Sequence, residues 1–508
     1  MSNNRQLALN MLYQIAGLVI NMGITFLLTP FIIKSLGVEA YGFIGLSNNI
    51  LGYLQLATIA LNSMAGRFVT IEYHKGNIEN ANRYFTSVFY SNCIFAVLIF
   101  AISLLLLYYL EFIIEIPSYL VTDVKWLFFL MSANSAGTIM FNLFGVSTFI
   151  KNRLDISTIR QLFSNAIRAL SLFLLFAVFS PRLWYMGISG ILCSVYLVFA
   201  NLTLCRQLTP ELRVKKDFFD WEKIKELVSS GVWNLICKLG DILQRGLDLL
   251  FANWWINASA MGILSITTNL PFIILSVFSM LSAAFAPMMT ADFANGDIES
   301  IKRDLGKSIR ILSICMLLPL SVLYVYGDSF YSLWVPTEDS TLLQWLTISG
   351  TIALIFTSPL ESFWNVFTVT NKIKGSSLFV LFNSFGVFFT VLISLQIVDD
   401  IVVKMFIIAS ARSLWGVLRG LLFLPIYSAH CLNMKWMTFY PMMLKPIIGL
   451  SLTLCVVFSF RLVCVPSSWG EFFLMSLCVC VVAFIVGLIT VLSKSDRLYL
   501  YSRIKERI

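Results

Sequence analysis

The sequence predicts an all-α polytopic membrane protein built from two similar lobes, on three observations. Of 508 residues, 58% are hydrophobic and 12% charged, about half the charge of a soluble chain, and the mean hydropathy is +0.84. Fourteen apolar stretches reach the length of about 20 residues that a bilayer-crossing helix needs. Finally, Gly76-Asn77-Ile78-Glu79-Asn80-Ala81-Asn82-Arg83 returns as Gly296-Asp297-Ile298-Glu299-Ser300-Ile301-Lys302-Arg303, an offset of 220. The same offset places Ala40 on Ala260, Gly42 on Gly262, Asn49 on Asn269 and Glu72 on Asp292 without a gap. Repeated halves in a membrane bundle commonly hold a site between them and rock around it.

The stretches, numbered here as spans 1 to 14, cover 11–33, 42–64, 84–109, 124–150, 158–179, 184–205, 231–255, 259–289, 309–327, 341–369, 376–397, 402–428, 442–464 and 472–492. Met1–Asn10 carries one basic residue, and the apolar run behind it has no small-residue cleavage site, so span 1 is expected to stay as an anchor. The longest loop, near Arg206–Ser230, is too short to hold a soluble core. Most of the ten cysteines fall inside spans, and Cys478 and Cys480 fit neither a redox pair nor a zinc knuckle. The two histidines, His74 and His430, read as loop residues, so no metal site, catalytic constellation or cofactor is expected.

With a cytoplasmic N-terminus and fourteen crossings, 26 of the 36 Lys and Arg residues fall on the cytoplasmic side, both termini included. Five fall on the other side: Lys34, Lys125, Arg182, Lys404 and Arg461. Short basic loops stay cytoplasmic, so the split fixes the orientation. The net charge of +9 then reflects topology and anionic headgroups, and no nucleic acid is required.

Eight charges remain inside the spans: Arg168, Lys238, Asp241, Arg245, Asp248, Glu361, Arg412 and Arg419. Each costs roughly 2.5–3.5 kcal/mol at a helix centre, so such residues face a bundle interior or water. Lys238, Asp241, Arg245 and Asp248 fall within one arc of roughly 80° at helical spacing, and Asn234 extends that stripe by a turn. Two readings stand side by side. The four charges neutralise one another and tie helices together, or they line an aqueous cavity that serves a polar substrate. Arg412 and Arg419 lie two turns apart on one face, where Gly416 and Gly420 allow a neighbour to approach closely. Glu361, after Pro359, is a candidate proton or cation site. Asp241 and Asp248 are the other candidates for ion coupling.

Amides at Asn21, Asn48, Asn49, Gln55, Asn62, Asn134, Asn142, Asn165, Asn269, Asn365 and Asn383 serve either as interhelical bonds or as partners for hydroxyl groups in a cavity. Pro30, Pro271, Pro287, Pro319 and Pro359 mark spans that can bend. No Gly-x-x-x-x-Gly-Lys-Ser/Thr loop is present, which excludes nucleotide hydrolysis by that motif.

A span beginning near Asn10 leads to Leu36-Gly37-Val38-Glu39-Ala40-Tyr41-Gly42. A polar second span follows, then Asn62-Ser63, Arg67 and the Gly-Asn-Ile-Glu loop. In these features the chain resembles the bacterial polysaccharide transporters, flippases of lipid-linked O-antigen and related units. That family belongs to the superfamily of multidrug, oligosaccharidyl-lipid and polysaccharide exporters. The resemblance implies six-helix lobes at 1–210 and 211–430 around a central cavity, with two further helices and a basic tail at 431–508. It implies an undecaprenyl-pyrophosphate-linked oligosaccharide as substrate and the bacterial inner membrane as location. A polysaccharide polymerase and chain-length machinery are implied partners. Lys238, Asp241, Arg245, Asp248, Asn234, Arg168, Arg412, Arg419, Asn48, Asn49 and Arg67 are the candidate cavity residues. The Gly-x-x-x-Arg-Asp pattern that lipid II flippases carry in their first helix is absent, which counts against that branch.

Two rivals share part of this pattern. A small-molecule exporter of the same fold favours an acidic or aromatic cavity, whereas these spans hold five basic and three acidic residues. A membrane polymerase carries a long outer loop, whereas the longest expected here are 110–123 and 327–340.

Overall fold

The computed structural model describes residues 3–462 and 464–492, with side chains at all of these except 3–12, 15, 245, 291 and 294. Arg5 and the basic tail of Lys494, Arg497, Arg503, Lys505 and Arg507 therefore lie outside the described side chains. All regular structure among the described residues is helical. Thirteen helices there are long and apolar enough to cross a membrane. They coincide with every expected span except the seventh.

The seventh stretch differs because its apolar run is diluted by charge and is not one helix. Residues Trp221–Arg245 form the first helix and Asp248–Trp255 the second, with the ladder interrupted at Gly246 and Leu247. Lys223 and Lys225, expected in a loop, therefore ride on the first helix. The outer loop expected at 327–340 shrinks to 335–339, because the helix Ile298–Trp334 continues past Gly327. His74 closes the helix Val38–His74 and His430 lies within Leu424–Cys431, so neither is a loop residue.

The chain forms two compact units, Met1–Gly262 and Ile263–Ile508. In the first, span 2 packs along the helix Trp221–Arg245, span 3 lies against spans 2 and 4, and span 5 against spans 1 and 6. Leu61, Val69, Tyr84, Phe85, Leu143, Ile150 and Leu227 build its inner core. Buried polar groups on span 3 fasten the connector that follows span 6. The Asn82 amide donates to the Glu211 carbonyl (3.0 Å) and accepts from Arg213 N–H (2.7 Å). The Thr86 hydroxyl donates to the Arg213 carbonyl (3.3 Å), Lys215 N–H reaches that hydroxyl (3.5 Å), and Asp220 N–H donates to Ser87 (2.8 Å). Asp220 then caps the next helix through Glu222 N–H at 2.9 Å. In this connector the Tyr73 hydroxyl donates to Glu211, whose carboxyl is held below its ordinary range by its own backbone N–H first and by Tyr73 second.

In the second unit, the long span 9 packs against spans 10, 13 and 14. It kinks at Tyr326, and Arg461 of span 13 donates to the Val325 carbonyl there and pairs with Asp328 at 2.5 Å. Helix 401–418 meets span 10 through its small residues. A methyl at Gly416 would stand 2.6 Å from the Ala353 side chain, and one at Gly420 would stand 3.0 Å from Phe356. The close approach expected from those two glycines is therefore present.

The repeat is written into backbone geometry. Gly76 and Gly296 adopt φ of +77° and +74°, a region open to glycine. Asn77 and Asp297 follow with φ, ψ of −85°, 71° and −86°, 79°, and each caps the helix three residues on. Asn152 and Asn371, one residue out of the 220 register, both end helices in the left-handed region with φ of 53° and 55°. Gly42 and Gly262, which correspond in the repeat, also touch: a methyl at 42 would lie 2.9 Å from the Gly262 backbone.

Candidate functional site

The seventh stretch is seated on span 2 because two glycines remove side chains from the contact. A methyl at Gly231 would stand 1.9 Å from the Ala60 carbonyl oxygen, so the backbones themselves meet. A methyl at Gly246 would stand 2.6 Å from the Tyr53 ring. Interrupting a helix at membrane depth frees backbone groups that hydrocarbon cannot satisfy, so they need protein partners. Span 2 supplies them. The Asn49 amide donates to the Gly246 carbonyl at 3.0 Å, and the Tyr53 hydroxyl makes a second, short bond to the same oxygen.

Along this seat, Lys238 and Asp241 face one direction and stand 3.6 Å apart. Their side chains are 53% and 45% accessible, so neighbouring helices do not seal them in. Asn234, one turn earlier, is half-buried. The Arg245 side chain lies outside the described ones. Asp248 departs from the expected stripe. It opens the helix Asp248–Trp255 beyond the interruption, is only 5% accessible, and acts electrostatically on Tyr53. The four charges therefore do not share one continuous helix. Their 80° arc presumed an unbroken ladder, and Gly246 with its two span-2 partners ends it.

Elsewhere in the first unit, Asn48, Arg67 and Arg168 are exposed, while Asn49 is committed to Gly246. In the second unit, Arg412 and Arg419 are half-buried, and Arg419 opens a π-helical turn, Arg419–Phe423. Such turns recur at functional positions. Glu361, also half-buried, follows the tight turn Ser358–Leu360 and accepts a 2.8 Å bond from Ser279.

Most of the amides resolve as ties between helices. Gln55 donates to Ser135 (2.8 Å), and Asn62 and Asn92 exchange bonds of 2.9 and 3.0 Å. Asn165 donates to Asn21, Asn365 to the Ser282 carbonyl and Asn383 to the Trp415 carbonyl. Sequence reasoning missed Tyr53, Ser279 and Gly246. Only Gly246, a glycine in the middle of a charged helical run, carried a signal that could have found it. No group of three potential metal ligands occurs among the described residues.

The fold that holds these residues is that of membrane transporters. The lipid II flippase MurJ in an inward closed conformation superposes with a TM-score of 0.70 at 12% identity, covering 95% of this chain and 98% of that one. An inward-facing multidrug resistance transporter of the MATE family gives 0.63 at 12% identity, covering 82% and 96%. The profile of the polysaccharide biosynthesis protein family matches residues 36–331, more than half of the chain, and the chain belongs to that family. It is also 28% identical over 425 residues to the uncharacterized membrane protein EpsK of Bacillus subtilis (strain 168), covering 83% of this chain and 82% of EpsK. The resemblance drawn from Leu36–Gly42 and the repeated loop is thus borne out at the level of the family.

Proposed function

We propose that the protein flips an undecaprenyl-pyrophosphate-linked oligosaccharide, an O-antigen unit or similar surface-polysaccharide unit, across the bacterial inner membrane by alternating access. In this reading both termini are cytoplasmic, and the repeated lobes 1–210 and 211–430 move about a central cavity. Family membership supports it. The observation that carries it is the Lys238–Asp241 pair, two charges on a helix packed along span 2 and left about half accessible. Helices that only needed gluing would bury such a pair.

The task explains the cost. A pyrophosphate-sugar headgroup loses its water in hydrocarbon, and that penalty bars unaided crossing. A wet, cationic lining replaces the lost water. Lys238, Arg245, Arg412 and Arg419 bind the pyrophosphate as charge-assisted donors, with Arg168 and Arg67 assisting. Asn48 and Asn234 face the sugar, while Asn49, a candidate in the sequence, is held by the Gly246 carbonyl. Asp241, Asp248 or Glu361 takes a proton or cation and biases one state over the other.

The test is a proteoliposome assay with a fluorescent lipid-linked oligosaccharide, scored by its accessibility to a membrane-impermeant enzyme. Translocation that collapses in Lys238→Leu supports the reading. Translocation equal to protein-free vesicles, together with export of organic cations, overturns it in favour of a small-molecule exporter.

A further inference from the structure

Spans 4 and 6 form a groove of about 520 Å³ that none of the foregoing uses, lined by Thr122, Asp123, Trp126, Leu130, Arg182, Trp184 and Ile188. Its floor exists because Gly187 lets Leu130 approach closely: a methyl there would stand 2.5 Å from the Leu130 Cβ. Thr122, Trp126 and Leu130 follow one another at four-residue spacing on one helix, as Trp184 and Ile188 do on the other, so each set shares a face. Lining chemistry changes with depth. The mouth, at the helix starts, holds Thr122, Asp123 and Arg182. Next come Trp126, one turn in, and Trp184 at the head of the second helix, and a turn beyond each stand the aliphatic Leu130 and Ile188.

Hydroxyl and charge, then indole, then hydrocarbon is the profile of a phospholipid from headgroup to chain, and indoles prefer the level between them. The charge at the mouth is cationic in effect. One Asp123 oxygen accepts from Leu183 N–H at 3.3 Å and the other meets Arg182 at 3.5 Å, and Asp123 is buried. Arg182 remains 55% accessible with that one long contact, so most of its donor fork is available to the groove. Basic residues are scarce on this face. Lys125 and Arg461 are committed to Glu111 and Asp328, whereas Arg182 borders an open space.

We infer that this groove is a binding site for an anionic glycerophospholipid of the leaflet opposite the basic loops. Its phosphate sits at Arg182 and Thr122, its glycerol lies between Trp126 and Trp184, and one chain runs along Leu130 and Ile188. The leaflet follows from the orientation set by the basic residues. The site itself is independent of what the protein transports.

The experiment titrates the purified full-length protein in detergent with phosphatidylglycerol bearing brominated chains, which quench nearby indoles. The expected result is saturable quenching, of which Trp126→Phe with Trp184→Phe removes a discrete part. Arg182→Gln should weaken the half-saturation by about fivefold, the worth of one exposed ionic contact, and Arg182→Lys by less. Quenching unchanged in Arg182→Gln overturns the proposal. So does full competition by inorganic phosphate, which marks a simple anion site, or preferential displacement by undecaprenyl pyrophosphate, which assigns the groove to the carrier lipid. If Arg182→Gln does not fold, Trp126→Ala with Trp184→Ala, which leaves the ion pair intact, decides. Native mass spectrometry then shows either loss of one retained phosphatidylglycerol or, against the proposal, wild-type retention.

Discussion

Spans 1 and 7 occupy the same place in the two repeats, and they are built differently. At the 220 offset, Gln14, Asn21 and Thr25 correspond to Asn234, Asp241 and Arg245, whereas Leu18 and Leu28 correspond to Lys238 and Asp248. Both therefore carry a polar face in the same register. In span 1 that face is uncharged and partly spent internally, with Thr25 bonded to the Asn21 carbonyl and the Asn21 side chain accepting from Asn165. Span 1 runs unbroken from Asn3 to Leu36. Its counterpart is charged and interrupted. The two copies share the place of the polar face, and only one of them carries charge and a break.

Making span 7 resemble span 1 breaks the comparison most directly. Lys238→Leu with Asp241→Asn should reduce translocation by about tenfold or more, the value of one charge-assisted contact. Unfolding should shift by only about 0.5 kcal/mol, because the pair is accessible and loosely paired. Retained transport in vesicles would mean the charges have no role in it.

Next comes the seat. Gly231→Ala drives a methyl into the Ala60 carbonyl and should cost about 3 kcal/mol. Gly17→Ala in span 1 meets only the Thr158 methyl at 2.6 Å, a side chain that can yield, and should cost about 1 kcal/mol. Thermal unfolding in detergent would rank the two, and equal losses would contradict the backbone contact.

The interruption itself is probed by Tyr53→Phe with Asn49→Ala. Leaving the Gly246 carbonyl without either donor should cost about 2 kcal/mol. Each single change should cost less, because the other donor remains. Strict additivity, checked by a double-mutant cycle, would argue against one shared acceptor.

The smallest effect concerns the repeated caps. Asn77→Ala should loosen the start of span 3 by about 1 kcal/mol at any pH. At Asp297 the carboxyl is held below its ordinary range, first by the backbone N–H of Ser300 and then by that hydroxyl. Its contribution is present above the unfolded-state value and is lost as pH falls through the depressed one. Hydrogen exchange at 298–301 should therefore accelerate in acid, while exchange at 78–81 should not.

Helix positions were legible because an apolar run of bilayer length has few alternatives, and the repeat was legible because its turn needs glycine at 76 and 296. The seventh stretch was legible as polar but not as broken. Its spacing is continuous through 245, and the cause of the break, a carbonyl captured by Asn49 and Tyr53, lies nearly 200 residues away. The amides illustrate the same point. Asn62 looks like Asn48 in sequence, yet the first is spent on Asn92 and the second is exposed. Partner choice across helices depends on distances that one-dimensional spacing does not encode.

The fastening of residues 211–220 to Asn82, Thr86 and Ser87 has a mechanical consequence. A connector between two helices is usually pictured as slack rope. This one is stitched down at successive points, so any tilt of the first turns of Trp221–Arg245 must drag span 3 along or unpick the seam. Lengthening the segment would change little, whereas removing the stitches at Asn82, Thr86 and Ser87 together would weaken that coupling.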